Sequence, residues 1–275
     1  MTVMTALCNV LTIAGVDPSG GAGVVADIKA ISANRAYACA VVAALTAQNT
    51  QAVTGIHPIP AAFVRQQIDT LLADVQIAST KIGMLGGRAV IAAVAEGLAR
   101  KLPAHVVLDP VMVAKSGDAL LEGDAVGALR EVLLPLATVI TPNLPEAGVL
   151  LARRAPDNLK EMRQAAEALR ETMTHAGARW VLLKGGHLAD ERAIDLLHDG
   201  DRMIELTAPR VATRNTHGTG CTLSAALAAL LPQSPDVPTA ARDAKAYLNA
   251  ALARADELQV GQGHGPVFHF PTFWK

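Results

Sequence analysis

Aromatic residues amount to only 3% of the 275 residues, and the formal net charge is -1. The first scarcity removes the stacking platforms that hold single-stranded nucleic acid, and the second removes the basic footprint that a phosphate backbone requires. No nucleic-acid partner is expected. Cysteine is scarce as well: Cys8, Cys39 and Cys221 form an odd, widely spaced set without a C-x-x-C pair. That pattern argues against a disulfide framework or a structural zinc site and fits a reducing cytosol, so a cytoplasmic location is expected. Long apolar runs are missing too. The longest uncharged one, Ala36 to Ala47, falls short of the roughly 20 residues of a membrane-spanning helix. The first residues lack the basic region of a signal peptide and lead directly into Val10-Leu-Thr-Ile-Ala14, so neither a membrane nor a targeting segment is expected.

What the chain does have is apolar bulk, 51% hydrophobic against 18% charged, enough to bury a substantial core. Short apolar runs alternate with stretches of helical period: strand 9–14, helix 23–35, strand 38–45, helix 60–74, strand 79–83 and helix 87–101. Val106-Val-Leu108, Thr138-Val-Ile140 and Trp180-Val-Leu-Leu183 continue the series, each followed by polar or glycine-bearing residues and helical sequence. Repeated βαβ units of this kind predict an α/β fold, a mostly parallel central sheet with helices on both faces. Ala193 to His198 and Met203 to Leu206 are expected as antiparallel additions near the sheet edge, followed by helices over 219–231 and 236–257. Arg153 to Asn158 is the best linker by composition. The βα pattern runs through both sides of it, so residues 1–275 are expected to form a single domain.

In open parallel sheets ligands bind beyond the carboxyl ends of the strands. After the first strand stands Gly15-Val-Asp-Pro-Ser-Gly-Gly-Ala-Gly23, in which Gly21 to Ala26 matches the dinucleotide fingerprint G-x-G-x-x-A. That fingerprint also needs an acidic residue about 20 positions on for the ribose, and none occurs between Asp27 and Asp69. A dehydrogenase is therefore set aside. The glycines instead suit close approach of backbone to a small ligand, with Asp27 available to accept a hydrogen bond from it.

Gln48, after the second strand, carries a donor and an acceptor on one flat group, which matches the edge of an amide or aminopyrimidine; a plain loop glutamine is the alternative. Met84, after the third, offers an adaptable apolar wall or a core methionine. Asp109 and Glu146 stand at or just past two further strand ends, as a pair for Mg²⁺ or as helix caps. Lys184-Gly-Gly-His187 offers a cation and flexible backbone to a phosphate. In Arg214-Asn-Thr-His-Gly-Thr-Gly-Cys221 the glycines at 218 and 220 let successive N–H groups converge at a helix entrance, where the positive end of the helix dipole attracts an anion. The plainer reading of that loop is a helix start capped by Thr219 or Thr222. Carboxylates, a lysine and an anion nest on one rim suggest phosphoryl transfer. The Walker A pattern is absent, because the only Lys-Ser pair, 115–116, follows Ala114, so this is not a P-loop enzyme.

The ordered motifs Ala14 to Gly23, Ala47-Gln-Asn-Thr50, Lys81-Ile-Gly-Met84, Leu108-Asp-Pro-Val-Met112, Ala114-Lys-Ser-Gly117, Ile140 to Glu146, Lys184 to His187 and Asn215 to Cys221 resemble the hydroxymethylpyrimidine and phosphomethylpyrimidine kinases of thiamine biosynthesis, in the ribokinase superfamily. The resemblance spans essentially the whole chain. It implies a ribokinase-like three-layer sandwich that uses ATP and Mg²⁺ to phosphorylate 4-amino-5-hydroxymethyl-2-methylpyrimidine and then the monophosphate. By this resemblance Gln48 reads the aminopyrimidine ring, Met84 packs on it, and Gly15 and Asp27 line the pocket. Gly218 and Gly220 form the anion hole, Lys184 and Thr219 serve the nucleotide, and Asp109 and Glu146 serve Mg²⁺ and its waters.

Cys221 takes the place where sugar kinases of the superfamily carry an aspartate base. A helix N-terminus favours thiolate over the reference pKa of about 8.5, so a base role is expected, with a buried pocket wall as the alternative. The resemblance also implies a homodimer. Gly261 to Phe270 recurs in the family and is read only as a closing segment whose histidines are structural. Pyridoxal kinase is the nearest rival function, and a non-catalytic pyrimidine-binding protein on the same fold is the rival from another class.

Overall fold

Side-chain alternation along the strands explains why the sheet is buried on both faces. In β1 (Asn9–Val16) Leu11 and Ile13 enter one apolar core and Val10 the other. β5 (His105–Leu108) sends Val106 and Leu108 to the first core and Val107 to the second, and β7 (Trp180–Lys184) divides Val181 and Leu183 from Trp180 and Leu182 in the same way. The structure is a computed structural model that describes residues 7–114, 117, 118, 120, 124–186, 188 and 191–274. Lys115, Ser116 and His187, on which motifs above fall, lie outside the described residues.

With β2 (Tyr37–Gln48), β3 (Val53–Pro58), β4 (Ser79–Ile82), β6 (Val139–Ile140), β8 (Arg192–His198) and β9 (Met203–Pro209), the strands form a nine-stranded sheet in the order β3-β2-β1-β4-β5-β6-β7-β8-β9. The run from β2 to β7 is parallel, and β3, β8 and β9 are antiparallel additions at the two edges. β8 and β9 follow the sequence expectation. β3 does not: with Gly55, His57 and Pro58 in six mostly exposed residues it carries no core signal, and it exists because β2 supplies its hydrogen-bond partners. The same pairing carries β2 on to Gln48, opposite Val53, so Gln48 ends a strand instead of standing in a loop.

One face of the sheet carries α1 (Gly23–Ala33), α7 (Thr219–Leu230) and α8 (Val237–Ala253); the other carries α2 (Ala61–Asp74), α3 (Arg88–Arg100), α4 (Ala125–Ala128), α5 (Leu144–Leu151) and α6 (Leu159–Thr172). Asn143, Asn158 and Asp236 start α5, α6 and α8 by accepting an N–H bond three residues on. α7 is buried on every side from Thr222 to Ala229, and its alanines let it sit closely between α1, α8 and the sheet. Its entrance is not capped by Thr219 or Thr222: the capping position is Gly218 at φ 75°, with no side-chain bond. β1 feeds β2 on one side, while β4 lies on its other side. That reversal of strand order opens a crevice at the carboxyl ends.

Candidate active site

A cavity of about 470 Å³ fills the crevice. Ten of the residues singled out from the sequence line it: Gly15, Gln48, Met84, Asp109, Glu146, Lys184, Gly218, Thr219, Gly220 and Cys221. Gly15 N–H donates to the Met84 carbonyl at 3.0 Å, joining the ends of β1 and β4. A Cβ on Gly15 would lie 2.8 Å from Met84 Sδ, so the thioether fills the space beside a bare backbone. Thr46 Oγ1 lies 3.1 Å from Gln48 Oε1 and 2.9 Å from the Val16 carbonyl, which orients the amide at the mouth of β2.

Asp27 is the exception. It is fully buried beneath the cavity and does not line it, because Lys81 Nζ reaches its two oxygens at 2.9 and 2.8 Å and Thr12 Oγ1 donates at 2.6 Å. Its acceptor positions are taken by the chain. The expectation of a pocket-lining carboxylate is corrected accordingly.

Asp109, 1% exposed, accepts from Lys184 Nζ at 3.0 Å, Ser224 Oγ at 3.1 Å and Thr141 Oγ1 at 3.2 Å. Burial opposes its charge, but the Lys184 and Lys81 ammonium groups and the bonds from Lys184 and Ser224 hold the carboxyl below the usual carboxylate range. Glu146 is part of a capping box on α5: Asn143 N–H donates to Glu146 Oε2 at 2.7 Å and Glu146 N–H to Asn143 Oδ1 at 2.8 Å. Both sequence readings of Glu146, as cap and as cavity carboxylate, thus describe one residue. Burial pushes its carboxyl up to about 7, with Lys184 pulling it down and Asp109 pushing it up.

At the glycine loop, a Cβ on Gly220 would project to 3.1 Å from Lys184 Nζ and 3.8 Å from Asp109 Oδ2. The bare backbone of the α7 entrance therefore shares its free space with a cation and a carboxylate. Among the described residues no group of three or more His, Cys, Asp or Glu side chains is placed to hold a metal ion. Two carboxylates on one cavity still suit Mg²⁺, which keeps several waters and is held by one or two carboxylates plus phosphate oxygens.

Cys221 stands in the first turn of α7 with the N–H of Gly23, first residue of α1, directed at its sulfur. Two helix entrances thus face it. Burial nevertheless outweighs that help and the nearby Lys81 charge, and pushes the thiol up to about 11. Burial thus opposes the thiolate that the helix entrance was expected to favour.

Two cavity residues without a role in the sequence reading, Asp17 and His217, are bonded to each other. Asp17, 2% exposed, accepts from Ser19 N–H, Ser19 Oγ, Ala22 N–H and His217 Nε2, the last at 2.7 Å. Its signal was local, since Asp-Pro-Ser-Gly is turn chemistry; the bond to His217 crosses 200 positions. The turn after Lys184 is held by a third unread residue. Gly185 N–H donates to Asp195 Oδ1 at 2.9 Å, and Asp195 Oδ2 pairs with the buried Lys245 of α8 at 2.6 Å.

Residues 17–268 match the family described as phosphomethylpyrimidine kinase. The hydroxymethylpyrimidine/phosphomethylpyrimidine kinase of Rhizobium meliloti (strain 1021) is 50% identical over 272 residues, covering 99% of this chain and 100% of that protein. The pyridoxal kinase of Staphylococcus aureus in complex with ADP superposes with a TM-score of 0.88 at 32% identity, over 98% of this chain and 96% of that one. The phosphomethylpyrimidine kinase of Clostridium difficile 630 gives a TM-score of 0.78 at 35% identity, over 89% of this chain and 99% of that one.

Proposed function

The chain belongs to the phosphomethylpyrimidine kinase family, and from that membership we propose that it transfers the γ-phosphoryl group of ATP to the hydroxymethyl group of 4-amino-5-hydroxymethyl-2-methylpyrimidine, then adds a second phosphoryl group to the monophosphate. The architecture is the ribokinase-like α/β sandwich. One observation carries the reading: the glycine-built entrance of α7 opens onto Lys184 and Asp109 in the same cavity whose other wall is Gln48 and Met84. A phosphoryl group needs the first set of residues, and an aminopyrimidine fits the second.

Gln48 presents its amide to the ring, Met84 and the Gly15 backbone form the apolar wall, and the amides of 218–220 meet the charge on the moving phosphoryl group. Lys184 and Thr219 take the nucleotide phosphates; that a nucleotide binds at all is supported by the ADP complex of the S. aureus relative. Asp109 and Glu146 would hold Mg²⁺, which when bound would supply charge neutralisation on the triphosphate. Cys221 acts as a thiol that holds the acceptor hydroxyl at the wall. A loose transition state asks little of a base before the P–O bond forms, and the raised thiol suits that part better than a base.

The whole chain serves as one kinase domain, working as a homodimer in the cytoplasm. The three cysteines are free, in keeping with a reducing compartment; light scattering of the purified protein tests the dimer. The decisive assay supplies ATP, Mg²⁺ and the pyrimidine alcohol and follows mono- and diphosphate products separately. Absence of both products overturns the reading. The likeness to a pyridoxal kinase supports a second reading, that pyridoxal is the better acceptor. A higher kcat/KM for pyridoxal in direct competition would establish it.

A further inference from the structure

Segment 261–269 takes no part in the chemistry just described, yet it is bonded to both of the chain segments that carry the cavity residues Gln48 and Thr216 to Cys221. On the pyrimidine side, Gly263 N–H donates to Thr50 Oγ1 at 3.1 Å and His264 N–H to the Thr50 carbonyl at 2.9 Å. Contact there is so close that a Cβ on Gly263 would lie 2.0 Å from that carbonyl oxygen. Thr50 stands two residues beyond Gln48 at the end of β2. On the phosphoryl side, Gly265 N–H donates to Asn215 Oδ1 at 3.2 Å, and its carbonyl accepts from His217 N–H at 3.0 Å. His217 immediately precedes Gly218, and its ring is tied to Asp17. Farther along, Val267 and Phe268 are buried, Phe268 N–H donates to the Ala251 carbonyl of α8, and His269 Nε2 lies 3.2 Å from Thr222 Oγ1 in the first turn of α7. Burial, with the Lys29 charge, holds the His269 ring near 3, so it stays neutral and the Thr222 contact keeps one protonation state in the working range.

One short hydrogen-bonded segment therefore spans from the strand end that carries Gln48 to the loop that carries Gly218 and Gly220. We propose that residues 261–269 are a positioning strap for phosphoryl transfer, setting the spacing between the ring-reading end of β2 and the anion nest of α7, with Thr50 and Asn215 as its side-chain anchors. The inference rests on the kinase reading above and adds residues that touch neither substrate. In-line transfer loses about a hundredfold in rate for a displacement of about 1 Å. Two loops held by separate springs would wander independently, whereas one strap makes their positions depend on each other.

The test is a double-mutant cycle with Thr50→Val, which removes the hydroxyl bound by Gly263, and Asn215→Ala, which removes the acceptor bound by Gly265. Kinetic constants are read well below each variant's melting midpoint, so that only folded protein is compared. Each single variant is expected to lose about three- to tenfold in kcat/KM and to raise KM for the substrate at the opposite end of the cavity, with Thr50→Ser restoring the parent values. The double variant should lose less than the product of the single losses, by at least about threefold. Losses that multiply, each confined to the near substrate, overturn the strap, as does a fall in melting midpoint with unchanged kinetic constants.

Hydrogen exchange of the 214–221 peptide gives a readout that needs no turnover. Thr50→Val should speed exchange there by about threefold or more, and unchanged exchange overturns the proposal. If the wild-type protein showed no kinase activity while Thr50→Val still accelerated exchange, the kinase reading would fall and only the mechanical link between 261–269 and the 214–221 loop would stand.

Discussion

A Cβ on Gly218 would lie 1.7 Å from the carbonyl oxygen of Gly21. The loop after β1 and the loop before α7 are thus in backbone contact, and Gly218 also holds φ at 75°, where L side chains are strained. Gly218→Ala should push the two loops apart and misplace the amides of the nest. Loss of about a hundredfold or more in kcat is expected, measured on variant protein shown to be folded by circular dichroism. Near-normal turnover would remove the loop from the reaction path.

Cys221 carries a pH prediction. A thiol raised to about 11 forms thiolate only as pH climbs toward that value, so iodoacetamide should label Cys221 slowly at pH 7 to 8 and faster with each unit above. Peptide mapping separates it from Cys8 and Cys39. Lys81→Met, which removes a charge that favours the thiolate, should move the profile to still higher pH. A labelling midpoint at or below pH 8 in the parent protein would restore Cys221 as a ready base.

Gln48→Leu keeps the volume of the side chain at the mouth of β2 and removes its donor and acceptor. KM for the pyrimidine alcohol should rise by about tenfold or more, while KM for ATP stays within about twofold. Equal losses for both substrates would assign Gln48 to the framework of the site.

Glu146 sets function against stability. Its folded value of about 7 lies above its ordinary 4.5, so the folded chain holds this proton more tightly than the unfolded chain. Its contribution to stability therefore declines as pH rises from about 4.5 to 7. Glu146→Gln removes that decline and keeps an acceptor for Asn143 N–H. At pH 8 its melting midpoint should be about 2–5 °C higher, while Mg²⁺-dependent kcat falls by about tenfold or more. A lower midpoint at pH 8 would show that the charged carboxylate stabilises the fold.

Lys245→Met would leave the Asp195 carboxylate buried without its partner, costing about 3–5 kcal/mol in urea denaturation. Asp195→Asn added to it should recover most of that loss, because an amide oxygen still accepts from Gly185 N–H. A double variant no more stable than Lys245→Met would mean that packing, not charge, is what Lys245 contributes.

Strand ends and glycine loops are local signals, which is why Gln48, Met84, Lys184 and residues 218–221 could be singled out before any fold was known, whereas the roles of Gln48 and Met84 came from the family resemblance alone. Asp27 was misread because its direction is decided by Lys81, 54 positions away, and nothing near Asp27 announces that partner. For Cys221 the helix entrance could be read from glycine spacing, but the burial that governs the thiol is a property of the assembled cavity. β3 was missed since an edge strand takes its stability from its neighbour's hydrogen bonds more than from its own side chains. The Asp17–His217 and Asp195–Lys245 pairs were hidden for the same reason as Asp27: sequence lists donors and acceptors, and only the topology introduces them.

The ion pair between Lys184 and Asp109 has a consequence for the order of events. Each of these two charges already answers the other, so a group that binds either one must first compete with its partner. Under the roles proposed above, a nucleotide that draws Lys184 onto its phosphates would free Asp109 for a divalent ion, and an ion on Asp109 would in turn release the lysine. Nucleotide and metal should consequently bind as mutual accomplices, each one tightening the other.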